Sequence, residues 1–207
     1  MSKRYPIPDL LPNAMHREEE IIKRSRFIVS IAHTPDAEAA HAFIARINKE
    51  FPDATHNCWA FASGPPADTA RVGFSDDGEP HGTAGRPMLT MLLHGGVGEL
   101  TAVVTRYFGG IKLGTGGLVR AYQGLVRIGL DTLPTRERIT PCTLEVIIDY
   151  SLITLFHRML PHHEAHITSE TFGVDAVFHI TLPIERAEAF EAAIIELADG
   201  AALVSVV

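Results

Sequence analysis

The segment "TRYFGGIKLGTGGLVRAYQ", residues 105–123, joins a predicted buried strand to a predicted amphipathic helix. It contains five glycines and three cations in nineteen residues. A loop at the start of a helix directs backbone N–H groups and the positive end of the helix dipole outward, and this geometry favours an anionic ligand. The segment therefore predicts a strand–loop–helix unit whose loop suits a phosphate group.

Two familiar nucleotide-binding motifs do not fit this loop. A Walker loop requires a lysine directly after its second glycine, and Thr115 occupies that position. The dinucleotide fingerprint requires a third small residue, and Val119 occupies that position after Gly114 and Gly116. Three interpretations stay open: a purely structural turn, a nucleic-acid contact, or a docking face for an acidic protein surface.

The charge around the loop favours nucleic acid. No acidic residue lies between Glu99 and Asp131, although the chain as a whole carries a net charge of −7. Cations neutralise phosphates, aromatic rings stack on bases, and glycines let a backbone approach closely. We therefore predict that RNA or a partner binds through the following residues: Arg86, Arg106, Tyr107, Phe108, Gly109, Gly110, Lys112, Gly114, Gly116, Gly117, Arg120 and Arg127.

Charge also divides the chain into two parts. The residues before Asp131 include 14 Lys and Arg against 13 Asp and Glu, whereas the remainder includes 4 against 12. Because a strongly acidic domain repels phosphate backbones, the second part is expected to avoid RNA and to suit a basic protein partner. We predict domains at 1–135 and 136–207, joined through the proline-bounded segment "PTRERITP" (134–141).

The hydrophobic patterns predict an α+β protein. In the first domain, strands are expected at 26–32, 56–62, 70–74 and 100–108, and helices at 36–50 with Thr34 as the cap, from Pro87 to His94, and from Gly117 onward. The second domain is predicted to have the order βαββαβ, with Gly173 at the hairpin. That order is the split-βαβ or ferredoxin-like arrangement.

A second candidate site lies in "SDDGEPHG", where oxygen and nitrogen ligands are concentrated. Asp76, Asp77, Glu79 and His81 fall within six residues. Magnesium binds through one or two carboxylates, so a metal-assisted hydrolase is one interpretation. Asp-Asp-Gly is also a common turn composition, and the spacing fits no calcium loop. The turn is the favoured interpretation, and no cofactor or catalytic residue is predicted.

The sequence predicts a cytoplasmic location. No segment approaches the roughly 18 apolar residues of a membrane span, and the cations near the start precede no apolar run. Cys58 and Cys142 are isolated and form neither a disulfide framework nor a zinc motif. We expect both to be small buried side chains.

Four stretches together resemble the YigZ/IMPACT family, in particular its bacterial two-domain branch. They are "KRSRFI", "HNCWAF", "SDDGEPHGTAGRPML" and "VVTRYFGGIKLGTGGLVRAYQ", and the similarity runs from about residue 17 to the C-terminus. The most specific part is Arg106-Tyr107-Phe108-Gly109-Gly110 with Leu113-Gly114 after it. The resemblance implies a first domain like domain IV of elongation factor G and a domain of a small-subunit ribosomal protein, and a second domain like domain V of that factor.

Both likenesses point to RNA or the ribosome. Eukaryotic members of the family are associated with control of translation through a protein partner, and no catalytic activity is established for the family. We expect this sequence to lack the neighbouring domain of those eukaryotic proteins, so the resemblance does not imply their protein partner. We therefore expect a non-enzymatic protein that binds RNA or a ribosome-associated complex and regulates translation. The alternatives are a protein-docking module without RNA binding and the metal-assisted hydrolase.

Overall fold

A computed structural model describes residues 4–207 and shows an α+β chain of two compact units, Tyr5–Arg138 and Ile139–Val207, with Arg4 belonging to the second. The strands are β1 (Tyr5–Pro8), β2 (His16–Ile22), β3 (Ser25–His33), β4 (His56–Ala62), β5 (Val72–Ser75), β6 (Leu100–Tyr107), β7 (Thr135–Arg138), β8 (Pro141–Ile148), β9 (His166–Phe172), β10 (Ala176–Pro183) and β11 (Leu203–Val206). The α-helices are α1 (Ala37–Glu50), α2 (Gly85–His94), α3 (Thr115–Thr132), α4 (Ile153–Met159) and α5 (Ala187–Leu197).

The first unit is built on a five-stranded sheet with the order β2-β3-β6-β4-β5, in which all neighbours are antiparallel. Strands β3 and β4 therefore run parallel to each other on either side of β6, and α1 connects them. A separate two-stranded ribbon pairs β1 with β7. Because β6 is the central strand and is buried along nearly its whole length, the loop that follows it begins at the middle of one sheet edge.

Helices cover both faces of this sheet. On one face, α1 packs Phe43, Ile44 and Ile47 against Phe61 and Val103. On the other face, α2 and α3 pack on a larger core that includes the neighbouring residue Val104. Successive side chains of a strand point to opposite faces, so one apolar strand supplies both cores.

The predicted strands and helices of the first unit form at or within a few residues of their expected positions, but the cap of α1 is wrong. Asp36 caps α1 by accepting a hydrogen bond from the backbone N–H of Ala39 at 2.8 Å. Thr34 is buried instead, and its hydroxyl lies 2.7 Å from that of Thr101. A buried hydroxyl needs a hydrogen-bond partner, and here a neighbouring strand provides it.

Three strands of this unit were not predicted. Strand β2 has the sequence HREEEII and lies largely exposed at the sheet edge, so it lacks the apolar alternation of a half-buried strand. Strands β1 and β7 have four residues each and exist only because distant parts of the chain pair. Strand β7 occupies residues 135–138 of the segment that was predicted to be a linker.

The second unit has the predicted βαββαβ order, with β8, α4, β9, β10, α5 and β11 in sequence. Its sheet order is β11-β8-β10-β9, with all neighbours antiparallel. The core packs Phe156 of α4 against Phe178 of β10 and Phe190 of α5. Within residues 4–207, no helix combines the length and apolar character needed to cross a bilayer.

Glu99 links the β1–β7 ribbon to the five-stranded sheet. It is buried just before β6 and accepts hydrogen bonds from Tyr5 Oη at 2.7 Å and Arg138 Nε at 2.6 Å, and its other oxygen lies 2.9 Å from His33 Nε2. Burial alone would raise the pKa of Glu99, but the three hydrogen bonds outweigh burial and hold the pKa below its usual value. Burial and the bond to Glu99 also raise the pKa of Tyr5 to about 12, so its hydroxyl stays a donor.

We expect Glu99→Gln to destabilise the first unit by about 2 kcal/mol at pH 7, because hydrogen bonds to a charged group are lost. A depressed folded-state pKa stabilises the protein above the unfolded value and is lost as the pH falls through the folded value. The stability penalty of Glu99→Gln should therefore shrink as the pH falls below about 4.3, the usual pKa of a glutamate. Urea unfolding of the variant and of wild type, at pH values above and below this pKa, measures the difference in stability. Glu38→Gln, at an exposed position on α1, is the control, and a Glu99→Gln penalty independent of pH would contradict the expectation.

Candidate nucleic-acid interface

The loop after β6 is held against the turn between β2 and β3. A Cβ atom built at Gly109 would overlap the carbonyl oxygen of Arg24, so only glycine fits this contact. The N–H of Gly109 also donates to Ser25 Oγ at 3.2 Å. The chain then reverses at Gly110 and enters α3 at Gly114, with φ of 85° and 74°, values that favour glycine. The glycines thus fix where the loop lies relative to the β2–β3 turn.

The start of α3 is open to a ligand. Gly114 is the N-cap and provides no side-chain hydrogen bond, and the first intrahelical bond runs from Leu118 N to Gly114 O at 2.9 Å. The N–H groups of Thr115, Gly116 and Gly117 are therefore left without intrahelical acceptors. Together with the helix dipole they favour an anion at this position.

Cations and exposed apolar side chains surround this helix start. Phe108 is 46% exposed and Ile111 40%. The nearby cations are exposed, and within residues 4–207 none of them forms an ion pair. We call these residues the loop surface, and it consists of Lys23, Arg24, Phe108, Ile111, Lys112 and Arg120.

Arg106 is not part of the loop surface, although the sequence grouped it with the other cations. It is only 5% exposed, and its guanidinium donates from Nη1 to the buried carboxylate of Glu79. The guanidinium carbon lies 5.3 Å from the ring centre of Phe27 and 5.5 Å from that of Phe108. Glu79 balances the charge of Arg106. Arg106 therefore packs beneath Phe108 as a buried structural residue of the loop.

The remaining predicted residues lie around the loop surface. Tyr107 is half-buried and donates to Asp53 at 2.9 Å. Arg86 is exposed in the first turn of α2. Arg127 is exposed two turns beyond Arg120 on α3 and forms a loose pair with Asp131 at 3.9 Å. The predicted set is therefore split between a contiguous core at the loop and separate cations on two helices.

A cleft of about 380 Å³ opens beside the loop surface. His56, Glu79 and Arg106 line one part of it, and Lys112 and Thr115 line another. His56 Nδ1 lies 2.7 Å from the carbonyl oxygen of Asp77, which can only accept, so Nδ1 carries a proton and donates. In the neutral ring the lone pair is then on Nε2, which is 4.0 Å from Glu79 Oε2.

Glu79 belongs to a buried polar network beneath the cleft. Tyr122 donates to Glu79 Oε1 at 2.9 Å, and the Cys58 sulfur lies 3.3 Å from the Tyr122 oxygen. Burial raises the pKa of both Tyr122 and Cys58 well above their usual values. The phenol therefore remains a donor and the thiol remains protonated at neutral pH. Cys142 is half-buried in the second unit.

The acids of the 76–81 loop hold the loop in shape. Asp76 accepts from the N–H groups of three residues at 2.7–3.0 Å, namely Gly82, Ala84 and Gly85. Burial would raise the pKa of Asp76, but these bonds outweigh burial and lower it. Asp77 accepts from Asn57 N at 2.6 Å, and His81 projects fully into solvent. Among the described residues, no three His, Cys, Asp or Glu side chains are grouped so as to hold a metal ion.

Two cations of the loop surface and one cleft residue were not assigned to the site from the sequence. Lys23 and Arg24 precede the loop by more than eighty residues and reach it only through pairing of β3 with β6. Both residues lie in "KRSRFI", one of the stretches that resemble the family, and this resemblance was the sequence feature that could have assigned them to the site. His56 pairs with Arg106 across β4 and β6, a register that the sequence alone does not give.

Comparison with known proteins gives matches over both units. Residues 23–130 match the family described as the Impact N-terminal domain, and residues 146–201 match a domain of unknown function, DUF1949. The Escherichia coli (strain K12) protein "IMPACT family member YigZ" is 44% identical over 192 residues, which are 92% of this chain and 94% of that protein. A Haemophilus influenzae "IMPACT family member" is 42% identical over 193 residues, 92% of this chain and 93% of that one.

A Gram-positive relative and a solved structure extend the similarity. The Bacillus subtilis (strain 168) protein "IMPACT family member YvyE" is 35% identical over 88% of this chain and 83% of its own length. A crystal structure described as that of an hypothetical protein is 40% identical, with a TM-score of 0.66 over all of this chain and 98% of the other. The similarity thus includes the loop after β6 and the 76–81 loop.

Proposed function

The chain belongs to the IMPACT family, and on that premise we propose that it binds single-stranded RNA, alone or within a ribosome-associated complex, through the loop surface. Proteins of this family are generally linked to regulation of translation. The observation that carries the proposal is the set of exposed cations around Phe108, which form no ion pair in the described part of the chain, together with the uncapped start of α3. The activity proposed is binding, and a role in translation would follow from the RNA that is bound.

The charge of the loop surface suits a phosphate backbone. Lys23, Arg24, Lys112 and Arg120 are exposed, and Glu19, an acid of the neighbouring strand β2, pairs with Arg26 at 2.7 Å. If each of the four cations meets one phosphate of a single strand, log affinity should fall with log salt with a slope of roughly −3. The second unit has too few cations to contribute to this salt dependence of RNA binding.

The apolar side chains of the loop surface favour a single strand over a duplex. Phe108 packs one side on the Arg106 guanidinium and exposes the rest of its ring. An exposed ring held in one orientation is a platform on which a base can stack, worth about 1–3 kcal/mol per base. Bases of a duplex are already stacked and cannot use it.

The two alternatives explain fewer of these contacts. A protein-docking face for an acidic partner would use the same cations, but it gives no particular role to the open start of α3. A metal-assisted hydrolase would need carboxylate oxygens that are free to bind a metal ion. Asp76 and Asp77 accept backbone hydrogen bonds instead, and Glu79, which lines the cleft, pairs with Arg106. A basic protein partner remains our proposal for the acidic second unit.

The test is fluorescence anisotropy of a labelled single-stranded RNA at several salt concentrations. Wild type should bind with a slope of roughly −3, and Lys112→Glu, Arg120→Glu should lower both the affinity and the slope, the latter to about −1.4, because two phosphate contacts are lost. Phe108→Ala should weaken binding without changing the slope, because a stacked ring carries no charge.

The matched control is Lys49→Glu, Arg71→Glu, which changes the net charge equally. Lys49 lies on α1, on the opposite face of the sheet, and Arg71 follows β4 at the far end from the loop. Equal loss of RNA binding in both double variants would show that binding depends only on net charge. That result would contradict RNA binding through the loop surface. Absence of RNA binding by folded wild type would leave an acidic protein partner as the explanation of the cations.

A further inference from the structure

The cleft beside the loop surface has the chemistry of a phosphate pocket. We propose that it takes a terminal phosphate monoester of the RNA strand, an inference that rests on the proposed RNA binding. Gly114 and Thr115 at the open start of α3 line one side of the cleft, and Lys112 lines it as well. These groups surround the place where an anion would enter.

Arg106 gives an independent reason to expect an anion in this cleft. Its side chain is 6% exposed and lines the cleft, yet it uses few of its five N–H donors. Nη1 donates to Glu79, Nη2 is 3.5 Å from Ser25 Oγ at the limit of a hydrogen bond, and Nε is buried with no partner among residues 4–207. A buried donor without an acceptor costs about 1–3 kcal/mol, so an oxyanion next to this guanidinium would stabilise it.

The charges of the cleft suit a monoester better than a diester. Among the described residues, Glu79 carries the one carboxylate that lines the cleft. Arg106 and Tyr122 both donate to its Oε1. Lys112 and the dipole of α3 then leave the cleft positive. A terminal phosphate has three free oxygens and a charge of about −1.5 to −2, whereas an internal diester has two and −1. The larger charge and the additional acceptor gain most from this set of donors.

His56 adds a group that distinguishes the two phosphates. Because its Nδ1–H donates to Asp77, the neutral ring presents the Nε2 lone pair, and the ring lines the cleft. A monoester whose second pKa is about 6 is partly protonated near neutral pH, and its P–O–H group can donate to Nε2. A diester has no such proton. The cleft therefore offers acceptors and donors in the pattern that a terminal phosphate needs.

The experiment compares RNA oligomers of one sequence with a 5′-phosphate, a 3′-phosphate or hydroxyl groups at both ends. Anisotropy should show wild type binding one phosphorylated form about tenfold more tightly than the hydroxyl form, or about 1.4 kcal/mol. Thr115→Asp should abolish that preference, so that all three oligomers bind with equal affinity, because a carboxylate at the start of α3 repels phosphate but stabilises the helix. Thr69→Asp, in the exposed loop at the far end of β4, is the charge-matched control.

A second measurement separates this proposal from RNA binding itself. Inorganic phosphate titrated into ¹⁵N-labelled protein should shift the amide signals of Gly116 and Gly117 saturably in wild type and not in Thr115→Asp. Equal affinity for all three oligomers would overturn the terminal-phosphate site and leave RNA binding by the loop surface standing. If no oligomer binds but phosphate shifts these amides, the RNA proposal fails and the anion pocket stands. If neither readout responds, both fail.

Discussion

Replacing Glu79 with alanine is expected to destabilise the first unit by about 3–5 kcal/mol, the cost of leaving one member of a buried ion pair uncompensated. Arg106 would remain buried with its charge unbalanced, and Tyr122 would lose the acceptor of its hydroxyl. Trp59, the only tryptophan, lies on β4 in this unit, so urea unfolding followed by its fluorescence reports on the relevant domain. A loss of this size is a large part of the stability of a domain.

Two variants test whether the loss comes from the unpaired charge. Asp131→Ala breaks the exposed pair with Arg127 on α3 and should cost less than about 0.5 kcal/mol. Glu79→Leu combined with Arg106→Met removes both charges and should recover much of the lost stability, because apolar groups of similar volume replace a desolvated pair. A Glu79→Ala variant that is no less stable than Asp131→Ala would refute the structural role given to the Glu79–Arg106 pair.

The sequence predicted the fold where patterns are local. The apolar spacing of Phe43, Ile44 and Ile47 predicts α1, and the βαββαβ order of the second unit follows from short alternating segments. The β1–β7 ribbon and the edge strand β2 were missed because their signal is pairing between distant or polar segments. The local preference of a segment for helix or strand does not depend on which distant segment will pair with it.

The candidate site was predictable in position but not in composition. The glycines and the open helix start follow from residues 105–123, and the structure places them as a loop ahead of α3. Sequence reasoning counted Arg106 with the exposed cations, because charge along the chain does not reveal which side chain turns inward. Alternation along β6 decides that question, and the partner Glu79 comes from a loop 27 residues earlier. Lys23 and Arg24 enter the site through the same sheet pairing.

Replacing Gly109 with alanine is the second large effect we expect, a destabilisation of about 3 kcal/mol or more. The added Cβ would overlap the backbone of Arg24 and approach the nitrogen of Ser25, and a backbone cannot move aside as the end of a flexible side chain does. Relief requires the loop to leave the β2–β3 turn, which would also break the bond from Gly109 N to Ser25 Oγ. Urea unfolding followed by Trp59 fluorescence gives the stability, and RNA affinity of the folded fraction should fall as well.

Gly124→Ala separates a steric clash from the general effect of adding a methyl group to this segment. Gly124 lies in the middle of α3, and a Cβ there meets no atom within 4 Å. Alanine should therefore stabilise the helix by about 0.5–1 kcal/mol, because glycine loses more conformational entropy on folding. If glycine is required at position 109 because the loop closely approaches Arg24, the two substitutions should change the free energy of unfolding in opposite directions. Two changes of similar size and sign would mean that the loop can shift freely, and the fixed geometry of the loop surface would then be wrong.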